Sequence, residues 1–242
     1  MPIAIIVGFS LIAAAIYFTN QDKPVAKNEN TTTQTNDAKM KPVDGNDYIL
    51  GNPNAPILMV EYSDYDCPFC KEFHITMHQI IDEYGVTGQV AWVYRQFPIA
   101  QLHPNSPKIS KAALCVGDVG GNKAFWKFTD KIFDERDFGS PTNVVKLPEY
   151  AEYAGVTKDK YIECLESDRM DKTLMDSIQD GLNQGIKGTP HTVLVVGNQT
   201  AVIDGAQPYD VVKGIVKNLI DQLEGKVDTA SSASSTPTDN KQ

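Results

Sequence analysis

Basic charge is in short supply. The chain of 242 residues carries 22 Lys and Arg against 31 Asp and Glu, a formal −9. Residues 19–45 hold four acids and four bases, residues 226–242 hold two of each, and the first eighteen positions hold none. The whole deficit therefore falls on the segment between them. A densely acidic surface repels phosphate backbones, which argues against nucleic acid as a partner. No internal repeat is present. No Lys or Arg precedes the apolar run Pro2 to Phe18, and its exit, Ile16-Tyr17-Phe18-Thr19-Asn20, lacks the small residues of a cleavage site. These absences favour an uncleaved anchor over a signal peptide. The run, at about 1.5 Å per residue, reaches roughly 26 Å, enough for a bilayer core. Residues 19–45 and 226–242 hold too little apolar surface to pack and read as a polar linker and a tail. Residues 46–225 remain, room for one cored domain but not for two large ones. With 41% hydrophobic and 9% aromatic residues, a wholly disordered chain is excluded.

Cysteine occurs four times, at 67, 70, 115 and 164. An even number beside an export-like segment suits an oxidising compartment, which places the folded part outside the cytosol. That outweighs Lys23 and Lys27, which follow the apolar run and favour the opposite orientation.

The pattern along the folded part is strand (57–62), helix (67–84), strand (90–94), a mainly helical block (106–185), strand (192–196), hairpin turn at Gly197-Asn198, strand (201–203) and amphipathic helix (210–223). Phe73, Met77, Ile80, Ile81 and Tyr84 fall on one helical face. Gly120-Gly121, Gly139-Ser140-Pro141 and Pro148 interrupt the helical block, and Thr157 stands as an N-cap for 158–165. The order predicts an α/β fold: a mixed central sheet, its first crossover right-handed and parallel, with a large helical insertion at about 105–185.

Cys67-Pro68-Phe69-Cys70 lies where a strand passes into a helix. The unpaired N–H groups and partial positive charge of a helix start favour a thiolate and lower the pKa of the first cysteine. Pro68 suits the first turn, and Cys70 is close enough to close a small disulfide. Zinc held by Cys67, Cys70, His74 and His78 is the rival. One straight helix spreads those four over roughly 16 Å, too far for bonds of about 2.0–2.3 Å, so no metal is expected. His74 and His78 read as partly exposed neighbours of the site, with His74 placed to tune a cysteine. Glu61, inside an apolar strand six residues before Cys67, is either a surface acid or a buried general base serving Cys70. Gly188-Thr189-Pro190 precedes a strand. Pro190 is either a simple breaker or a cis proline that presents the Thr189 backbone to an extended polypeptide.

VEYSDYDCPFCKEFH, followed after the helical block by GIKGTPHTVLVVGN, resembles the DsbA-like thiol:disulfide oxidoreductases of the thioredoxin superfamily, over about Tyr48 to Leu223. The resemblance implies a thioredoxin-like fold, Cys67 as the attacking and Cys70 as the resolving sulfur, a cis Pro190, and Glu61 at the buried acidic position. It also implies Pro68, Phe69, Thr189 and Pro190 as substrate contacts. Two departures stand out. Phe69 replaces the His of the well-studied enterobacterial oxidase and offers a thiolate no polar N–H. Cys115 and Cys164 are not general to the family. They read as a structural disulfide, with two buried free thiols as the alternative. The expected function is an extracytoplasmic oxidoreductase that introduces disulfides into reduced exported proteins, without a cofactor. It is expected to be monomeric, tethered through the N-terminus as a single-pass cell-membrane protein, and reoxidised by a membrane partner. A disulfide isomerase or reductase, or a non-catalytic polypeptide-binding module, are the competing expectations. Residues 19–45 are too short and polar for the dimerisation domain common in isomerases.

Overall fold

The structure is a computed structural model that describes residues 40–225. The expected anchor (1–18), most of the linker and the tail (226–242) lie outside the described residues. Five strands, β1 (Tyr48–Gly51), β2 (Ile57–Ser63), β3 (Val90–Gln96), β4 (His191–Val196) and β5 (Gln199–Asp204), form one sheet in the order β1-β3-β2-β4-β5. β2 and β3 are parallel, and every other pairing is antiparallel. Six α-helices accompany them: α1 (Pro68–Ile80), α2 (Ser106–Glu135), α3 (Leu147–Tyr153), α4 (Lys158–Glu166), α5 (Asp171–Asn183) and α6 (Tyr209–Leu223). This is a thioredoxin-like mixed sheet with a helical insertion, α2 to α5, between β3 and β4.

β2 lies between β3 and β4, so both of its edges are paired, and a core packs on each of its faces, which explains its nearly unbroken apolar run. Side chains alternate. Ile57 and Met59 enter the larger core with Trp92, Tyr94 and Leu194, while Val60 and Tyr62 enter a smaller one with Val93, Phe97 and Val193. Helices α1 and α6 contribute Phe73, Met77, Ile80, Val212, Val216 and Ile220 to the first core. Each such aliphatic or aromatic side chain contributes about 1.5–3 kcal/mol when fully buried. On the other face α5 comes close enough that a Cβ at Gly181 would sit 2.5 Å from the Phe97 ring.

Three features differ from the sequence expectation. β1 carries no alternating signal, yet pairs with β3 along its whole length. Residues 40–45, assigned to the linker, touch the body: Met40 joins the smaller core and Lys41 N–H donates to Asp180 at 2.7 Å. Thr157 occupies the N-cap of α4, but its side chain makes no capping bond. The Gly120-Gly121 interruption is a kink within α2, where Gly121 takes φ 75°, a conformation that favours glycine.

The expected placement as a single-pass cell-membrane protein is corrected. No helix among the described residues is long and apolar enough to cross a membrane. The longest, α2, is studded with Lys123, Lys127, Asp130 and Lys131, charges that hydrocarbon does not accept.

Candidate active site

Cys67 is the N-cap of α1, with extended backbone (φ −69°, ψ 125°), and Pro68 opens the first turn. This is the local outcome of C-P-x-C: proline gives up an N–H that the first turn cannot pair anyway. Both cysteines are thiols here and both are buried, Cys67 at 5% exposure and Cys70 at 0%. Phe69 between them is 57% exposed. The loop before the helix is held by its own acids. Asp64 accepts from Asp66 N–H (2.8 Å), Ile99 N–H (2.7 Å), His103 Nδ1 (2.9 Å) and the Ser106 hydroxyl. Asp66 accepts from Thr142 N–H at 2.8 Å.

Across a cis peptide bond at Thr189–Pro190, the Thr189 carbonyl accepts from Cys67 Sγ at 3.3 Å. That contact favours the thiol. It is outweighed by the Cys70 thiol, then by the Thr189 side chain and the Cys70 and Phe69 amides, which together bring the Cys67 pKa down to about 6 against the opposing effect of burial. Cys70 moves the other way. Burial, then its neighbour Cys67 and the Glu61 charge, raise it well above the ordinary thiol range. A backbone N–H from Asp64 reaches its sulfur at 3.5 Å. The two sulfurs thus have separate characters, one a low-pKa leaving group and nucleophile, the other a fully buried thiol that needs a proton partner.

Glu61 supplies a candidate partner. It sits on β2 opposite Tyr94 of β3 and Thr192 of β4, on the Met59 side and therefore toward α1. It is completely buried, and neither carboxylate oxygen has a hydrogen-bond partner. Burial raises its pKa to about 7, an effect tempered by the Ser63 hydroxyl and the Trp92 indole. Of the two readings open in the sequence, the strand's central position removes the surface acid, because no edge is available there.

The sites assigned from sequence thus converge: Cys67, Pro68, Phe69 and Cys70 at the helix start, Thr189 and Pro190 across from them, and Glu61 beneath. Cys115 and Cys164 lie elsewhere. They are joined by a disulfide between α2 and α4, with Cα atoms 5.6 Å apart. His74 is buried rather than partly exposed, and His78 is half-buried. Sequence reasoning missed Arg136. From just past the end of α2 it donates to the Cys67 carbonyl (2.8 Å), the Asp66 carbonyl (3.1 Å) and the Ser140 carbonyl (3.1 Å). A lone arginine after a helix leaves no pattern by which to find it.

A family model described as thioredoxin matches residues 43–218, most of the chain. The chain belongs to the thioredoxin family. Within it, the insertion between β3 and β4 makes the fold DsbA-like. Wolbachia pipientis alpha-DsbA1 has a TM-score of 0.65 at 21% identity, covering 77% of this chain and 96% of that one. Oxidised BdbD from Bacillus subtilis has a TM-score of 0.64 at 20% identity, covering 75% and 96%. At those identities the likeness establishes the fold. A Rickettsia bellii protein named as a candidate protein-disulfide oxidoreductase is 29% identical over 169 residues, 69% of this chain and 60% of its own length. The chain therefore spans somewhat under two thirds of that relative.

Proposed function

We propose that residues 46–225 form a protein thiol:disulfide oxidoreductase that introduces disulfides into reduced proteins in an oxidising, extracytoplasmic compartment. The observation that carries this reading is the split between Cys67, held as a thiolate near pH 6, and Cys70, held as a buried thiol three residues on. In the disulfide form, a substrate thiolate attacks Cys67 Sγ. The Cys67–Cys70 bond breaks and Cys70 leaves as a thiolate, which takes a proton from Glu61. A second substrate thiolate then attacks the substrate sulfur of the mixed disulfide, and Cys67 leaves as a thiolate. The substrate is oxidised by two electrons and the enzyme is left as a dithiol, so turnover needs a disulfide-bearing redox partner. A stabilised Cys67 thiolate favours its release in the second step, and attack falls on Cys67 because Cys70 is the more deeply buried sulfur. The name of the Rickettsia bellii relative and the fold of the DsbA neighbours support the activity. The Cys115–Cys164 disulfide supports the compartment, because cytosolic thiols are kept reduced.

Phe69 favours a second reading within the same chemistry, a milder enzyme that reduces or reshuffles disulfides. Three assays separate the readings. Stoichiometric oxidised protein should reoxidise a reduced, unfolded substrate, and Cys67→Ser should abolish this. Faster recovery of a scrambled substrate than of a reduced one would assign isomerisation instead. Insulin reduction reports the reverse direction. Loss of all three activities in folded protein would leave only a polypeptide-binding module.

A further inference from the structure

α1 carries a second cluster, one and two turns beyond Cys70. His74 and His78 stand four residues apart on one face, and Asp130 of α2 meets them. His74 Nε2 lies 3.0 Å from Asp130 Oδ1, His78 Nε2 lies 2.9 Å from the same oxygen, and the two Nε2 atoms are 3.1 Å apart. One atom from each of three residues converges on a common point.

Hydrogen bonds alone do not satisfy this triangle. A neutral imidazole has one N–H. If both Nε2 atoms carry it toward the carboxylate, two donors face each other at 3.1 Å. If only one carries it, the other turns a lone pair on the carboxylate oxygen. At most two of the three contacts can be bonds in any tautomer pair, and His74 Nδ1, buried, has no partner to reward either choice. A cation at the common point satisfies all three at once. Tetrahedral bonds of about 2.0–2.1 Å require ligand-to-ligand edges of about 3.3 Å. The observed edges fall a few tenths of an ångström short of that, a difference that small side-chain rotations close. Asp82 and Asp134 add negative potential around the pair.

We propose that His74, His78 and Asp130 form a site for one divalent transition-metal ion, with Zn2+ the best match to two imidazoles and a carboxylate. The fourth corner is left for water or a small anion. The third ligand comes from a different helix, which removes the objection to zinc held along α1 alone. The cysteines take no part, since Cys70 Sγ is engaged by the Asp64 amide. A bound ion would staple the helix that carries the redox pair to the helical insertion, a role separate from thiol exchange.

The chain contains only two tryptophans, and the Trp92 ring lies 5.1 Å from that of His74 and 5.4 Å from that of His78, with Trp126 4.6 Å from Trp92. Tryptophan fluorescence is therefore a built-in reporter for a quenching ion such as Cu2+. The test uses oxidised full-length protein, stripped with chelator, so that closed Cys67–Cys70 offers no thiolate. Calorimetry should show one Zn2+ per chain. Cu2+ should quench fluorescence with a single-site profile that Zn2+ competes away. His78→Ala and Asp130→Asn change half-buried positions, with folding of each checked by circular dichroism, and each should weaken binding by about 100-fold or more, since even outer partners of metal ligands are worth about 10–100-fold. His191→Ala and the double Cys67→Ser/Cys70→Ser variant should bind as the parent does. The proposal is overturned if the oxidised protein takes up no stoichiometric Zn2+, if His78→Ala and Asp130→Asn both bind like the parent, or if the cysteine variant loses the ion. Insulin reduction by the same metal-free samples reads the redox site independently.

Discussion

At the scale of single residues, the site works by setting two like groups apart. Cys67, with its pKa lowered to about 6, should be alkylated in the reduced protein with a midpoint near pH 6, while Cys70 stays unreactive. Faster labelling of Cys70, followed by mass spectrometry, would reverse their roles. The depressed pKa also stabilises the reduced fold above the unfolded thiol pKa of about 8.5, and that stabilisation disappears as pH falls through 6. Glu61 has the opposite sign. Its raised pKa means that its contribution is full below the ordinary carboxylate range and is lost as pH rises through about 7. Glu61→Gln should therefore gain stability relative to the parent between pH 5 and 8, on the order of 3 kcal/mol for a fully buried group. The same change should slow thiol exchange by about 100-fold if Glu61 moves the Cys70 proton. An unchanged rate would leave Glu61 a structural acid. Phe69, exposed beside Cys67, supplies no donor. Phe69→His should raise the reduction potential by roughly 30–60 mV, the equivalent of one hydrogen bond to a charged group, measured by equilibration with glutathione. No rise would mean that position 69 does not set the redox poise.

At the scale of elements, legibility followed the range of the signal. The β2–α1 junction could be read because proline, a helix start and two thiols lie within four residues. The β4–β5 hairpin could be read because Gly197-Asn198 is a local turn signal. The residues alone leave Glu61 open between surface and core; the resemblance implies its burial, and the physical reason is the central place of β2, which depends on β4, about 130 residues later in the chain. Arg136 and Asp130 escaped because the site residues they bond lie 52–70 residues away, and a single charge has no period. The same is true of Arg95, which is buried and bonded to both Asp47 and Asp180, tying the segment before β1 and α5 to β3. The Cys115–Cys164 bridge joins α2 to α4 across 49 residues. A Cys115→Ala/Cys164→Ala variant should lose about 4 kcal/mol in the chain-entropy account, seen as a lower urea midpoint, with thiol exchange retained in the folded fraction. Unaltered stability would show that α2 and α4 are held by packing alone.

At the scale of the whole molecule, the formal −9 lies on the part that folds. Oxidation of a basic unfolded substrate should slow several-fold between about 10 mM and 0.5 M salt, as the screening length contracts, and an acidic substrate should show the reverse in stopped-flow measurements. Salt-independent rates for both would mean that the acidic residues lie away from the approach path. The contact between Cys67 and Thr189 spans 122 positions, and the clamp from Arg136 spans 69. A ribosome delivers the chain in that order. The nascent polypeptide carries its nucleophile long before it carries the wall that nucleophile will face, and Cys115 emerges into the same unfolded coil while Cys164 is still unmade. Before its own last third is complete, the protein is a thiol-bearing chain, and on the function proposed above it would itself be a substrate for a finished copy.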